Sequence, residues 1–166
     1  MVKDLVVKKR RPINKKEAKL INEGIIYSHG INISAKAGEY EKGISENFDV
    51  LILGGNIIAL IMEHKIHLTV RGLLIHPVNQ GWVQVDMGAV PFVCNGANVM
   101  SAGINSVSPE IVKDQYVWIR EENHHKPLGI GRTIIDAETM LNSQKGKAVR
   151  LIHYIGDRIW AFGEKR

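Results

Sequence analysis

Apolar positions follow a helical rhythm early in the chain and strand-like runs afterwards. Leu5-Val6-Val7 leads into Lys8-Lys9-Arg10-Arg11-Pro12, and a helix is predicted next. Asn14 suits its N-cap, Glu17 three residues on completes a capping box, and Gly24 marks the stop. Leu20 and Ile21 are expected to face the core, while Lys15, Lys16 and Lys19 share a broad exposed side. Residues 34–47 are polar, contain two glycines and read as a loop or weak helix. Strands follow. Residues 49–53, the turn Gly54-Gly55-Asn56 and residues 57–62 make a hairpin by composition. Residues 67–70 and 73–76 read as a second pair around Arg71-Gly72, and the turn residues at 77–81 suit a domain boundary.

The second half has its own pattern. Residues 86–95 read as a helix that stops at Gly96, followed by a short strand at Val99. Residues 116–120 alternate, 121–126 turn, and 128–135 are extended with glycines at 129 and 131. Asp136 is expected to cap a short helix through Asn142. Residues 148–154, the two-residue turn Gly156-Asp157 and residues 158–162 read as two closing strands. The chain is therefore expected to be α+β, with a small mixed first domain and a mostly β, barrel-like second domain carrying two short helices.

Composition narrows the function classes. Apolar residues make up 45% and charged residues 23% of the 166, ordinary values for a folded chain. The longest apolar run is broken by Gly54, Gly55 and Asn56, too short to span a bilayer, and no secretory h-region is expected. A single cysteine, Cys94, excludes an internal disulfide and a cysteine-based zinc cage, which favours a reducing, cytoplasmic setting. The net charge of +5 is unevenly spread. Residues 1–20 hold eight Lys or Arg against Asp4 and Glu17, and the remainder is close to neutral. Lys8, Lys9, Arg10, Arg11, Lys15, Lys16 and Lys19 thus form a patch that either attracts a polyanion by contacting its phosphates or is simply a solvated arm.

Candidate chemistry lies mainly in residues 85–104. Gly88 and Ala89 open the expected helix with almost no side chain, Gly96 and Ala97 do the same at its end, and Gly103 at the exit of the next strand. Such spacing either walls a groove with backbone, where phosphate can approach N–H groups, or serves tight packing of helix on sheet. His64 and His67 fall on opposite faces of a strand, and His124-His125 sit in a polar turn, so no metal site is expected. Asp86, Asp136 and Asp157 have capping or turn roles available. No nucleophile elbow, Ser-His-Asp spacing or P-loop is present, and the expectation is a non-catalytic protein without cofactor.

The segment Asp86-Met87-Gly88-Ala89, Asn95-Gly96-Ala97-Asn98-Val99-Met100 and Ala102-Gly103-Ile104 resembles the start of a PUA domain, and residues 152–160 resemble its closing strands. The likeness covers about residues 83–163 and is nearest to the malignant T-cell-amplified sequence protein family and its archaeal relatives. In the first half it rests mainly on length, position and the Leu68-Thr69-Val70-Arg71-Gly72-Leu73-Leu74 stretch. Pro91 departs from the family pattern and implies a later helix start. The resemblance implies a pre-PUA α+β domain at 1–80 and a PUA pseudo-barrel at 81–166. It also implies an RNA-binding groove lined by Gly96, Ala97, Asn98, Val99 and Met100, with Gly103, Ile104, Arg158 and Trp160 nearby. By its own chemistry Trp160 either stacks on a base or fills the core, and Arg158 either pairs with phosphate or makes a local turn contact beside Asp157. The implied ligand is structured RNA, transfer RNA at its acceptor end or ribosomal RNA of the small subunit. The implied role is in translation initiation or recycling, with the small ribosomal subunit or a translation factor as partner and no membrane. The rivals are an accessory subunit delivering RNA to a modification enzyme, and an enzyme with an unrecognised site.

Overall fold

A computed structural model describes residues 3–164. The chain forms two compact units: one takes the chain up to Val78 and again from Arg158, the other is Asn79–Asp157.

In the first unit, strand β1 (Lys8–Pro12) precedes helix α1 (Lys15–His29), and strands β2 (Tyr40–Ile44), β3 (Asp49–Leu53), β4 (Asn56–Met62) and β5 (Lys65–Leu68) lead to helix α2 (Val70–Ile75). The strands pair antiparallel in the order β1-β2-β3-β4-β5. The expected capping box is present: Asn14 Oδ1 accepts from Glu17 N at 2.8 Å, and Glu17 Oε1 accepts from Asn14 N at 3.1 Å. The helix does not stop at Gly24. It runs to His29 and ends on Gly30, whose φ of +73° suits a left-handed cap. Gly24 is instead the point of closest approach to β5, since a Cβ there would stand 2.9 Å from Ile66 Cδ1. Ala18, Ile21 and Ile25 form the buried stripe, whereas Leu20 is 56% exposed.

Two further expectations change. Residues 34–47 hold β2, whose Tyr40 is buried; its polar character reflects a strand that pairs with the exposed β1 on one side and β3 on the other. Of the strand pair expected around Arg71-Gly72, the first begins in β5 and the second is helix α2. Thr69 caps it, accepting from Gly72 N at 3.2 Å while donating to Ile57 O at 2.8 Å. A Cβ on Gly72 would lie 2.0 Å from Ile58 O, so only glycine allows α2 to seat on β4. Val50, Leu51, Ile52, Ile57, Ile58, Leu60 and Leu68 form the centre of this core.

The second unit contains strand β6 (Trp82–Val85), helix α3 (Val90–Val93), strands β7 (Val99–Met100), β8 (Ile104–Val107), β9 (Tyr116–Glu121) and β10 (Pro127–Thr133), helix α4 (Ala137–Asn142) and strand β11 (Lys147–Tyr154). The sheet order is β7-β11-β10-β9-β6-β8, antiparallel except for β6 beside β9. This is a mostly β, nearly closed pseudo-barrel with two short helices. Gly129 and Gly131 allow its curvature, because a Cβ on either would stand 2.5 Å from a carbonyl of β11. Val83, Val85, Val107, Val117, Ile119, Leu128, Met140 and Val149 fill the interior. Asp136 caps α4 as expected, accepting from Thr139 N at 2.9 Å. The helix expected at 86–95 shortens to Val90–Val93, with Pro91 in its first turn.

Residues 158–162 do not form a closing strand. Gly156, at φ +95°, turns the chain, and helix α5 (Arg158–Ala161) follows as part of the first unit. There Arg71 stacks on the Trp160 ring at 3.8 Å, donates to Trp160 O at 2.9 Å and pairs with Glu164 at 2.8 Å. The second compact unit ends at Asp157.

Candidate nucleic-acid interface

A groove of about 290 Å³ opens on the second unit between the turn at 86–89, α3 and the segment 98–103. Its walls approach closely because they carry little side chain. Asp86 N donates to Gly103 O at 2.9 Å, and a Cβ on Gly103 would stand 3.0 Å from that of Ala89. Asp86 Oδ1 accepts from Ala89 N at 2.9 Å, so this carboxylate shapes the turn. On the opposite wall Asn98 Oδ1 accepts from Leu151 N at 2.9 Å, at the irregular β7–β11 pairing. The side-chain amide thus fixes the wall's position. Phe92 stands at the rim, 67% exposed, with Met100 at 45%. Large apolar surfaces left in water beside a backbone-walled cleft suit stacking on a flat ligand.

Of the residues expected to line this groove, Asn98, Val99, Met100 and Gly103 do so. Gly96 and Ala97 lie outside the lining: Gly96, at φ +89°, ends the turn after α3 against the Tyr154 ring, and Ala97 is exposed beyond it. Ile104 is buried in the barrel core. Arg158 and Trp160 belong to α5 of the first unit, where Trp160 is the stacking surface for Arg71 and Arg158 lies 3.9 Å from Glu46. Sequence reading missed Phe92, and the signal was available: it is the one aromatic side chain in a run of small residues at the turn of this segment.

The seven basic positions also divide. Lys8, Lys15, Lys16 and Lys19 are exposed. Arg10 forks onto Glu41 at 3.1 and 3.3 Å. Arg11 forks onto Glu17 at 2.7 Å on both oxygens, and this hydrogen bonding, with the Asn14 N–H, holds the Glu17 carboxyl down at about 2. Lys9 sits in a bulge of β1 with φ +55°.

Comparison with known proteins places this architecture. Residues 81–155 match the family model of the PUA domain. An uncharacterized protein of Methanocaldococcus jannaschii is 32% identical over 158 residues, 94% of this chain and 98% of its own. Translation machinery-associated protein 20 of Eremothecium gossypii is 28% identical over 71% of this chain and 68% of its own. The solved structure of a conserved PUA domain protein from Thermoplasma acidophilum superposes with a TM-score of 0.81 at 28% identity, over 93% of this chain and 99% of that one. The fold is that of a PUA-domain protein. The chain belongs to the family that joins the malignant T-cell-amplified sequence and translation machinery-associated proteins with their archaeal PUA-domain relatives.

Proposed function

We propose that this protein binds structured RNA of the translation apparatus, transfer RNA or small-subunit ribosomal RNA, without acting on it chemically. The observation that carries the reading is the groove itself, with glycine and alanine walls and Phe92 and Met100 at its mouth. Backbone walls admit a sugar-phosphate chain closely, and an exposed ring offers a surface for an unstacked base. Basic side chains of β1 and α1 supply the salt-dependent attraction to phosphate. The name of the Eremothecium gossypii relative supports a setting in translation, and within that setting the role assigned here is in initiation or recycling.

The test is RNA affinity at fixed salt for two variants of the full chain. Ala102→Glu puts a carboxylate in the groove at an exposed position, and Phe92→Ala removes the exposed ring. Each is expected to weaken binding by about 1–3 kcal/mol with an unchanged melting temperature. Wild-type affinity in both folded variants would remove the groove from the mechanism.

A further inference from the structure

The sheet of the first unit carries a depression of about 270 Å³, lined by Lys9, Arg11, Lys42, Gly43, Ile44 and Asp49. An irregular ladder builds it. Lys8 pairs with Ile44 and Arg11 with Lys42, so three steps along β1 are matched by two along β2. The extra length is absorbed where Lys9 adopts φ +55°, a left-handed conformation that a lysine keeps only when its surroundings impose it. The bulge brings cations from two strands to one spot.

Three cations there face one carboxylate of the lining. Two are already held in place: Arg11 by both oxygens of Glu17, and Lys42 by Asp49 at 3.9 Å. Lys42 also acts on Glu17, so Arg11, Glu17, Lys42 and Asp49 form an alternating series of charges. Lys9 ends that series with no carboxylate at ion-pair distance among the described residues. Two ammonium groups and a guanidinium fork around a shallow hollow form a donor set suited to a tetrahedral oxyanion, with Glu17 as its competitor for the fork.

We infer that this hollow seats one phosphate group of an RNA backbone between Lys9 and Lys42, with Arg11 shared between that phosphate and Glu17. The inference rests on the RNA reading above and sharpens it. It selects Lys9 and Arg11 from the basic patch and adds Lys42, which lies outside the basic N-terminal stretch.

The experiment measures affinity for unfractionated transfer RNA against salt, using the full chain and three variants. Lys42→Gln is expected to lower the slope of log affinity on log salt by about 0.7–0.9 and the affinity at 0.1 M salt about five-fold. Lys36→Gln, exposed and outside the hollow, is expected to leave both close to wild type. Glu17→Gln keeps a capping-box side chain but frees Arg11, and is expected to tighten binding. A slope unchanged by Lys42→Gln, or lowered equally by Lys36→Gln, overturns the inference, because the charge would then act diffusely. A second arm titrates the full chain with inorganic phosphate and follows the Gly43 and Ile44 amides. Saturable shifts abolished by Lys42→Gln, in a protein that binds no RNA, would keep the phosphate site and discard RNA as its source. Absent shifts together with an unchanged slope would overturn the site while leaving the groove reading intact.

Discussion

His29 Nε2 accepts the Leu68 N–H at 3.0 Å, and its ring meets His67 edge-on with centroids 6.1 Å apart. Protonating that nitrogen would turn an acceptor toward a donor inside the fold. Burial therefore holds His29 down at about 4, and burial together with the neighbouring His29 and Lys65 holds His67 down at about 3. Burial moves His76 the same way. Because these folded values lie below the ordinary 6.5, the unfolded chain takes up protons first as pH falls. Stability is expected to be full above about pH 6.5 and to decline toward pH 4, by up to about 1.4 kcal/mol per pH unit for each of His29 and His67. Denaturant midpoints between pH 7.5 and 4 check this, and a flat profile would contradict it. Sequence gave no sign of the pairing. His67 was legible only as half of a His-x-x-His spacing with His64, whereas its neighbour in space is 38 positions away on α1. Trp160 shows the same limit. Its chemistry left stacking and core burial open, and the choice depended on Arg71, 89 residues earlier.

Elements defined by neighbouring residues were legible and those defined by distant contacts were not. The Asn14 capping box, the Gly54-Gly55 hairpin and the Asp136 cap are local chemistry, and each stands where its residues put it. Strand β2 and helix α5 depend on partners elsewhere, β2 on the ladders at both its edges and α5 on Arg71 and the sheet of the first unit. Gly24 reads as a stop because glycine suits the left-handed C′ position, but that position falls to Gly30, and at Gly24 close approach to Ile66 offsets the low helix propensity of glycine. Helix α5 carries a prediction at this scale. It buries Ile159 and gives Arg71 an aromatic face, a carbonyl and a carboxylate. A chain ending at Asp157 is expected to lose roughly 3 kcal/mol from the first unit, from one buried isoleucine side chain and the lost charge-assisted bonds and ring stacking of Arg71. Amide exchange in β3 and β4 would then quicken about a hundred-fold, with protection in β9 and β10 retained. Equal protection in both chains would show that α5 merely rests on its unit.

At the scale of the whole molecule, two compact units each present a feature suited to RNA, a groove in one and a cationic hollow in the other. The α+β class and the barrel could be read from the order of short strands, turns and helices along the chain, and four of the groove's lining residues from residues 85–104, where small residues recur within one short segment. The rest was less direct, because glycine spacing marks where backbones approach, and only the lone aromatic of the segment, Phe92, points to the ring beside them. The central claim is that the groove of the PUA unit receives RNA. The most direct measurement is an amide-resolved NMR titration of the full chain with transfer RNA at moderate salt. Saturable shifts are expected at Gly88, Phe92, Met100 and Gly103, with a second group at Gly43 and Ile44. Shifts confined to β1 and α1, with the groove amides unmoved at saturation, would contradict the claim and leave only electrostatic attraction.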